Sequence, residues 1–132
     1  MKILFLCTGN AYRSSFAEAL LKKIRPDLTV DSAGLNVAIP IPWIVREYLR
    51  ARDALDFLKA FPESIDEKEL REFDLIVAME PKHKLAVLRK CSICEERIVV
   101  WNIKDPYFES EADAERIFVA IENRVKELAK SI

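Results

Sequence analysis

The stretch Lys2-Ile3-Leu4-Phe5-Leu6-Cys7-Thr8-Gly9-Asn10-Ala11-Tyr12-Arg13-Ser14 decides the fold of this chain. Lys2 to Leu6 is a short apolar run with the composition of a parallel strand buried on both faces. A cysteine, five residues and an arginine follow it. From Ser14 to Ile24 the pattern becomes helical, with Phe16, Leu20 and Ile24 four apart and Lys22-Lys23 in the last turn. A loop curled just ahead of a helix directs several backbone N–H groups at one point, and the helix dipole adds partial positive charge there. Such a loop is a cup for a tetrahedral anion, most simply a phosphate.

Working outward, Pro26-Asp27 breaks the first helix, and Leu28 to Ser32 reads as a second strand, ended by Ala33-Gly34. A loop punctuated by Pro40 and Pro42 leads into a second helix from about Trp43, with Ile44, Tyr48, Leu55 and Leu58 on one face, stopped by Phe61-Pro62. His83 is expected on the exposed side of a helix spanning Lys82 to Lys90, after Pro81 at its first turn. Asp66 to Arg71 is a short charged helical turn. Leu75 to Met79 and Arg97 to Trp101 are the third and fourth strands, and Ala112 to Ala129 is a closing helix with Ile117, Ile121, Val125 and Leu128 inward. Strands alternating with helices predict an α/β fold: one three-layer domain over residues 1–132, with a four-stranded parallel sheet flanked by helices on both faces. Ligands of such sheets bind beyond the carboxyl ends of the strands. Cys7 follows the first strand and Asp105 the fourth, so both fall on that rim. Trp101 is expected to pack in the core beside the Asp105 loop.

The bulk composition agrees with one domain. The chain has 132 residues, 51% of them apolar, and a net charge of −1 with acids and bases intermixed. No basic stripe marks a nucleic-acid or membrane-surface partner, so neither is expected. The run Ile3 to Leu6 is too short for a signal peptide or a membrane span, which predicts a cytoplasmic protein, expected as a monomer. Three cysteines are too few for a disulfide scaffold, so their chemistry carries more weight than their crosslinking.

The cup residues have distinct duties. Gly9 is expected to supply the unusual backbone angles of the loop, and Asn10 tolerates left-handed geometry while its amide braces the loop from within. The N–H groups and Arg13 favour the thiolate form of Cys7, and Ser14 can donate to that thiolate. Arg13 matches a phosphate bidentately, as a lysine would not. Attack of sulfur on phosphorus would give a cysteinyl-phosphate that water then hydrolyses. A tyrosyl leaving group has a free pKa of about 10, so it benefits from a proton donor. Asp105 of Asp105-Pro106-Tyr107 supplies the proton and, once ionised, can activate the water. No metal or other cofactor is called for. A lone C-x5-R or a lone Asp-Pro-Tyr is a weak signal; the combination on one rim is the strong one.

These residues resemble the low-molecular-weight protein tyrosine phosphatase family, whose loop reads C-x-G-N-x-C-R-S. Ala17-Glu18-Ala19, Ser32-Ala33-Gly34, the Asp74 to Met79 segment and Asp105-Pro106-Tyr107 follow in the family's order, and the likeness is loosest from Leu35 to Glu72. The resemblance implies Cys7 as nucleophile, Arg13 as phosphate ligand and Asp105 as general acid. It places the substrate on Thr8, Gly9, Asn10, Ala11, Tyr12, Arg13, Ser14 and Tyr107, with Asn10, Ser14 and Ser32 holding the loop and Tyr107 walling the mouth. The substrate implied is a phosphotyrosine-bearing protein or a small aryl phosphate. Two positions depart from the pattern. Tyr12 stands where the family has its second loop cysteine. Ala11 stands where phosphotyrosine-directed members carry Ile and phosphoarginine-directed members carry Thr.

The rival reading is a thiol-dependent arsenate reductase of the same fold, relaying a disulfide from Cys7 through Cys91 and Cys94. Those enzymes place their first relay cysteine just after the third strand, where this chain has Met79-Glu80. Cys91-Ser92-Ile93-Cys94 otherwise reads as a local disulfide, a partial metal site, a redox pair modulating activity, or two ordinary thiols. A phosphate-binding module without catalysis would need neither Cys7 nor Asp105.

Overall fold

The computed structural model describes all residues, 1–132. Four strands, β1 (Lys2–Cys7), β2 (Thr29–Gly34), β3 (Leu75–Ala78) and β4 (Ile98–Val100), form one sheet of order β2-β1-β3-β4 in which every pair is parallel. Four helices accompany them: α1 (Arg13–Ile24), α2 (Trp43–Arg50), α3 (Pro81–Lys90) and α4 (Glu111–Ser131). The expected α/β architecture is the observed one. The strand order reverses direction at β1, with β2 on one side and β3 on the other. That switch point opens a crevice beyond the end of β1, where the Cys7 loop sits.

The sheet separates two cores. Successive side chains of a strand point to opposite faces. Ile3, Phe5 and Cys7 accordingly join Phe16, Leu20, Leu49, Phe118 and Ile121 from α1, α2 and α4. Leu4 and Leu6 face the other way, onto Ile65, Leu70, Phe73 and Val87. Ile3, Leu4, Phe5 and Leu6 are all fully buried, each contributing roughly 1.5–3 kcal/mol of apolar transfer. Phe16 and Phe118 stack edge to face with centroids 4.8 Å apart, tying α1 to α4. Trp101 is buried against Phe5, as expected.

Two sequence expectations need correction here. The second helix does not run to Leu58; it stops at Arg50. Asp53 adopts φ 55°, a left-handed conformation that Asp tolerates, and the Ala54 N–H closes the end on the Leu49 carbonyl at 2.9 Å. Leu55 belongs to a separate single turn, Leu55–Phe57, yet Leu55 and Leu58 still pack on the same core, which is why the apolar period continued past the break. The Asp66 to Arg71 segment is likewise two short 3-10 turns, Ile65–Glu67 and Leu70–Glu72. No helix is long and apolar enough to cross a membrane.

Candidate active site

Beyond the end of β1 lies a cavity of about 230 Å³ lined by Cys7, Thr8, Gly9, Ala11, Tyr12 and Arg13, closed by Asp105 and Tyr107 on one side and by Asn36, Ala38 and Ile39 on the other. Cys7 Sγ accepts from the Asn10 N–H at 3.2 Å and lies 2.9 Å from Ser14 Oγ. The first turn of α1 has neither an acidic residue nor a side-chain cap, so its N–H groups stay available to an anion. Tyr12 and Tyr107 meet edge to face, centroids 6.1 Å apart, as aromatic walls. Burial, then Tyr107 and Asp105, raise the Tyr12 phenol above its usual value, so it stays a neutral hydroxyl. Sequence reading had no signal for Asn36, Ala38 and Ile39, which lie on the Pro-punctuated loop.

The loop is held from behind by a polar network. Asn10 has φ 56°, the left-handed geometry expected of it. Its amide is fully used: Nδ2 donates to Ser14 Oγ and Ser32 Oγ, each at 2.8 Å, and Oδ1 accepts from Lys59 Nζ at 2.9 Å and the Glu63 N–H at 2.8 Å. Neither Asn10 nor Ser14 lines the cavity: the Asn10 side chain is spent on support, and Ser14 Oγ sits between Asn10 and Cys7 Sγ. Ser32 Oγ donates to the buried Glu18 at 2.5 Å. Lys59, with 8% of its side chain exposed, pairs with Glu63 at 2.6 Å. Burial alone would push the carboxyls of Asp31 and Glu63 up. The cations outweigh it, chiefly Lys68 at Asp31 and Lys59 at Glu63, and hold both below the usual carboxylate range. Sequence reading found Asn10, Ser14 and Ser32 but not Lys59 or Glu63. Nothing local to Lys59 or Glu63 marks them; only the four hydrogen bonds that a buried Asn amide can make call for further partners.

The glycine expectation also changes. Gly9 does not take a positive φ, and an added Cβ there would meet only Asn36 O at 3.9 Å. Asn10 carries the left-handed turn instead. The sterically required glycine is Gly34 at the end of β2, where a Cβ would lie 2.7 Å from Asn10 N and 2.8 Å from Thr8 O.

Arg13 is buried, with one edge clamped: NH1 donates to Glu80 Oε2 at 2.6 Å and to the Ile103 carbonyl at 2.7 Å. NH2 is left facing the cavity, 3.6 Å from Asp105 Oδ2. Burial would raise the Glu80 carboxyl, but the Arg13 contact outweighs it and keeps Glu80 ionised. Asp105 spends Oδ1 on the Tyr107 N–H at 3.0 Å, an Asx turn, and keeps Oδ2 toward Arg13. The Asx turn thus leaves one carboxylate oxygen of Asp105 free for the acid role expected of it.

His83 is not exposed, contrary to expectation; it is fully buried. It sits in the first turn of α3, where its Nδ1 accepts the Glu80 N–H at 3.0 Å, and its Nε2 lies 3.0 Å from Thr8 Oγ1. The lysines on either side flank it in sequence, but its own position on the helix faces the loop. Burial, then the Arg13 charge, lowers its pKa to about 4.

Cys91 and Cys94 are joined to each other in a disulfide, both buried in the second core. They lie just past the C-terminus of α3, whose N-terminus carries Glu80 and His83 at the cavity. A ten-residue helix is roughly 15 Å long, so the pair stands at the far end from Cys7.

Comparison with known proteins follows the same lines. The chain is 32% identical to the low molecular weight protein-tyrosine-phosphatase Wzb of Salmonella typhi, over 99% of this chain and 93% of that protein. Among solved structures, the arginine phosphatase YwlE, a serine-for-cysteine mutant with a phosphorylated active site serine, superposes with a TM-score of 0.85 at 25% identity, over 98% of this chain and 94% of that one. An arsenate reductase from Archaeoglobus fulgidus superposes with a TM-score of 0.80 at 30% identity, over 98% of this chain and 99% of that one. The model of the low molecular weight phosphotyrosine protein phosphatase family matches residues 2–132, and the chain belongs to that family.

Proposed function

We propose that this phosphatase hydrolyses phosphotyrosine, or small aryl phosphate monoesters, through a cysteinyl-phosphate. The observation that carries the reading is the convergence on one 230 Å³ cavity of Cys7, the uncapped turn of α1, Arg13 and Asp105. Cys7 Sγ attacks phosphorus opposite the phenolic oxygen. Asp105 Oδ2 protonates that oxygen as the P–O bond breaks, and Ser14 stabilises the thiolate before attack and as it departs. Arg13 NH2 and the loop N–H groups hold the three equatorial oxygens. Water, deprotonated by the Asp105 carboxylate, then attacks the phosphocysteine and releases phosphate and the thiolate.

The substrate class follows from the walls. Tyr12 and Tyr107 offer ring faces and edges to a flat leaving group. Ala11, buried in the floor, leaves the space that a larger side chain would take. The phosphorylated serine of the YwlE mutant supports phosphoryl transfer to the residue at the cysteine position. Arsenate relay through Cys91 and Cys94 is not favoured, because the pair stands at the far end of α3 from Cys7; a disulfide between the two is the relay's own end state and does not weigh against it. The test is phosphate release from phosphotyrosine and p-nitrophenyl phosphate without added metal. Wild type should turn over both, and Cys7→Ser should bind phosphate without turnover. Activity surviving in Cys7→Ser would sink the mechanism.

A further inference from the structure

We propose that the Thr8 side chain is a fixed hydrogen-bond donor to a phosphoryl oxygen, and that His83 is the positioning residue that fixes it. The inference rests on the phosphatase reading of the cavity and adds to it a side-chain contact that the backbone cup does not supply.

The argument is one of hydrogen-bond capacity. A backbone N–H can only donate, so the Glu80 N–H at 3.0 Å makes His83 Nδ1 an acceptor. In a neutral imidazole the proton then resides on Nε2. Neutrality follows from burial and from the nearby Arg13 charge, which hold the ring uncharged at physiological pH. Nε2 lies 3.0 Å from Thr8 Oγ1 and must donate to it. Arg13 NH2, always a donor, lies 3.4 Å from the same oxygen. A hydroxyl oxygen has two lone pairs, and both are now occupied by donors. The hydroxyl proton of Thr8 has no acceptor in the protein, and Thr8 lines the cavity beside Cys7. The proton is therefore aimed at the space an anion fills. Without His83 the hydroxyl could rotate and present a lone pair, which repels an anion. The same arrangement places Arg13 and Thr8 as adjacent donors on one side of the anion, with Glu80 anchoring both through Arg13 NH1 and the His83 ring.

The experiment is calorimetric titration with inorganic phosphate at pH 7, together with kcat/KM on p-nitrophenyl phosphate. The proteins are wild type, Thr8→Val, Thr8→Ser, His83→Phe and the Thr8→Val/His83→Phe double variant. Thr8→Val keeps the shape and loses the donor, and should bind phosphate roughly ten- to a hundredfold more weakly. Thr8→Ser should recover most of that loss. His83→Phe should weaken binding when Thr8 is present and add nothing once it is Val, since its effect passes through that hydroxyl. Unchanged phosphate affinity in Thr8→Val, a Thr8→Ser loss as large as that of Thr8→Val, or equal losses from His83→Phe in both backgrounds would overturn the proposal. Wild type that folds but releases no phosphate would overturn the phosphatase reading itself. Normal turnover with unchanged binding in Thr8→Val would overturn this inference alone.

Discussion

Mild acidification, from pH 6.5 to about 4.5, should weaken this protein chiefly through one side chain, His83. The ring is fully buried and its pKa is lowered from 6.5 to about 4. Between those values the unfolded chain binds a proton that the folded chain refuses. Stability therefore rises with pH across this window: it is complete above about 6.5 and is lost progressively as pH falls toward 4. The gap corresponds to about 3 kcal/mol, a large share of the 5–15 kcal/mol typical of a domain. The carboxylates of Asp31, Glu63 and Glu80, all held below their usual values, lose their contributions only as pH drops below about 4.5. They leave the window from 6.5 to 4.5 nearly free for His83. Urea unfolding followed by circular dichroism should show the wild-type midpoint falling by about 1 M or more over that window. His83→Gln, less stable at neutral pH, should show a flatter profile. His83 is the sole histidine, so one imidazole proton resonance reports its titration directly. A resonance titrating near 6.5, or parallel stability profiles for the two proteins, would refute the buried neutral ring and the bond geometry built on it.

Three further outcomes are expected. Gly34→Ala forces a Cβ to within 2.8 Å of the loop backbone, so it should cost about 1–3 kcal/mol and most phosphate affinity, whereas Gly9→Ala should be tolerated; thermal melts and phosphate titration of the pair check this, and equal effects would contradict it. Lys59→Met removes the donor to Asn10 Oδ1 and the Ser32 carbonyl, while Glu18 keeps Lys22 and Glu63 keeps Lys68, and should destabilise by about 1–3 kcal/mol; a Tm within two degrees of wild type would show that the ammonium is dispensable. Replacing both Cys91 and Cys94 with Ser should lower stability by about 2 kcal/mol and leave phosphate release unchanged; lost phosphate release in a folded double variant would show that the pair supports the cavity from the far end of α3.

The division between local and distant information runs through particular residues. The sequence by itself determined the β1–loop–α1 unit, the alternation of strands and helices, and the placing of Cys7 and Asp105 on one rim. Each of these depends on near neighbours: an apolar run, a period of 3.6, a loop of five residues, and the rule that parallel strands share a carboxyl edge. It also pointed to Asn10, because a bent loop needs an internal brace, and the family resemblance added Ser14 and Ser32. The tertiary structure decided everything that depends on which distant groups a buried polar atom meets. His83 looked exposed because lysines flank it, yet one helix position aims it at Thr8, 75 residues away. Lys59 gave no local sign that its ammonium would bond Asn10 Oδ1 across 49 residues. Gly9 drew the steric argument that belongs to Gly34, since only the packing of β2 against the loop shows where a methyl group has no room. Periodicity is a property of neighbours along the chain, whereas hydrogen-bond saturation and close approach are properties of neighbours in space.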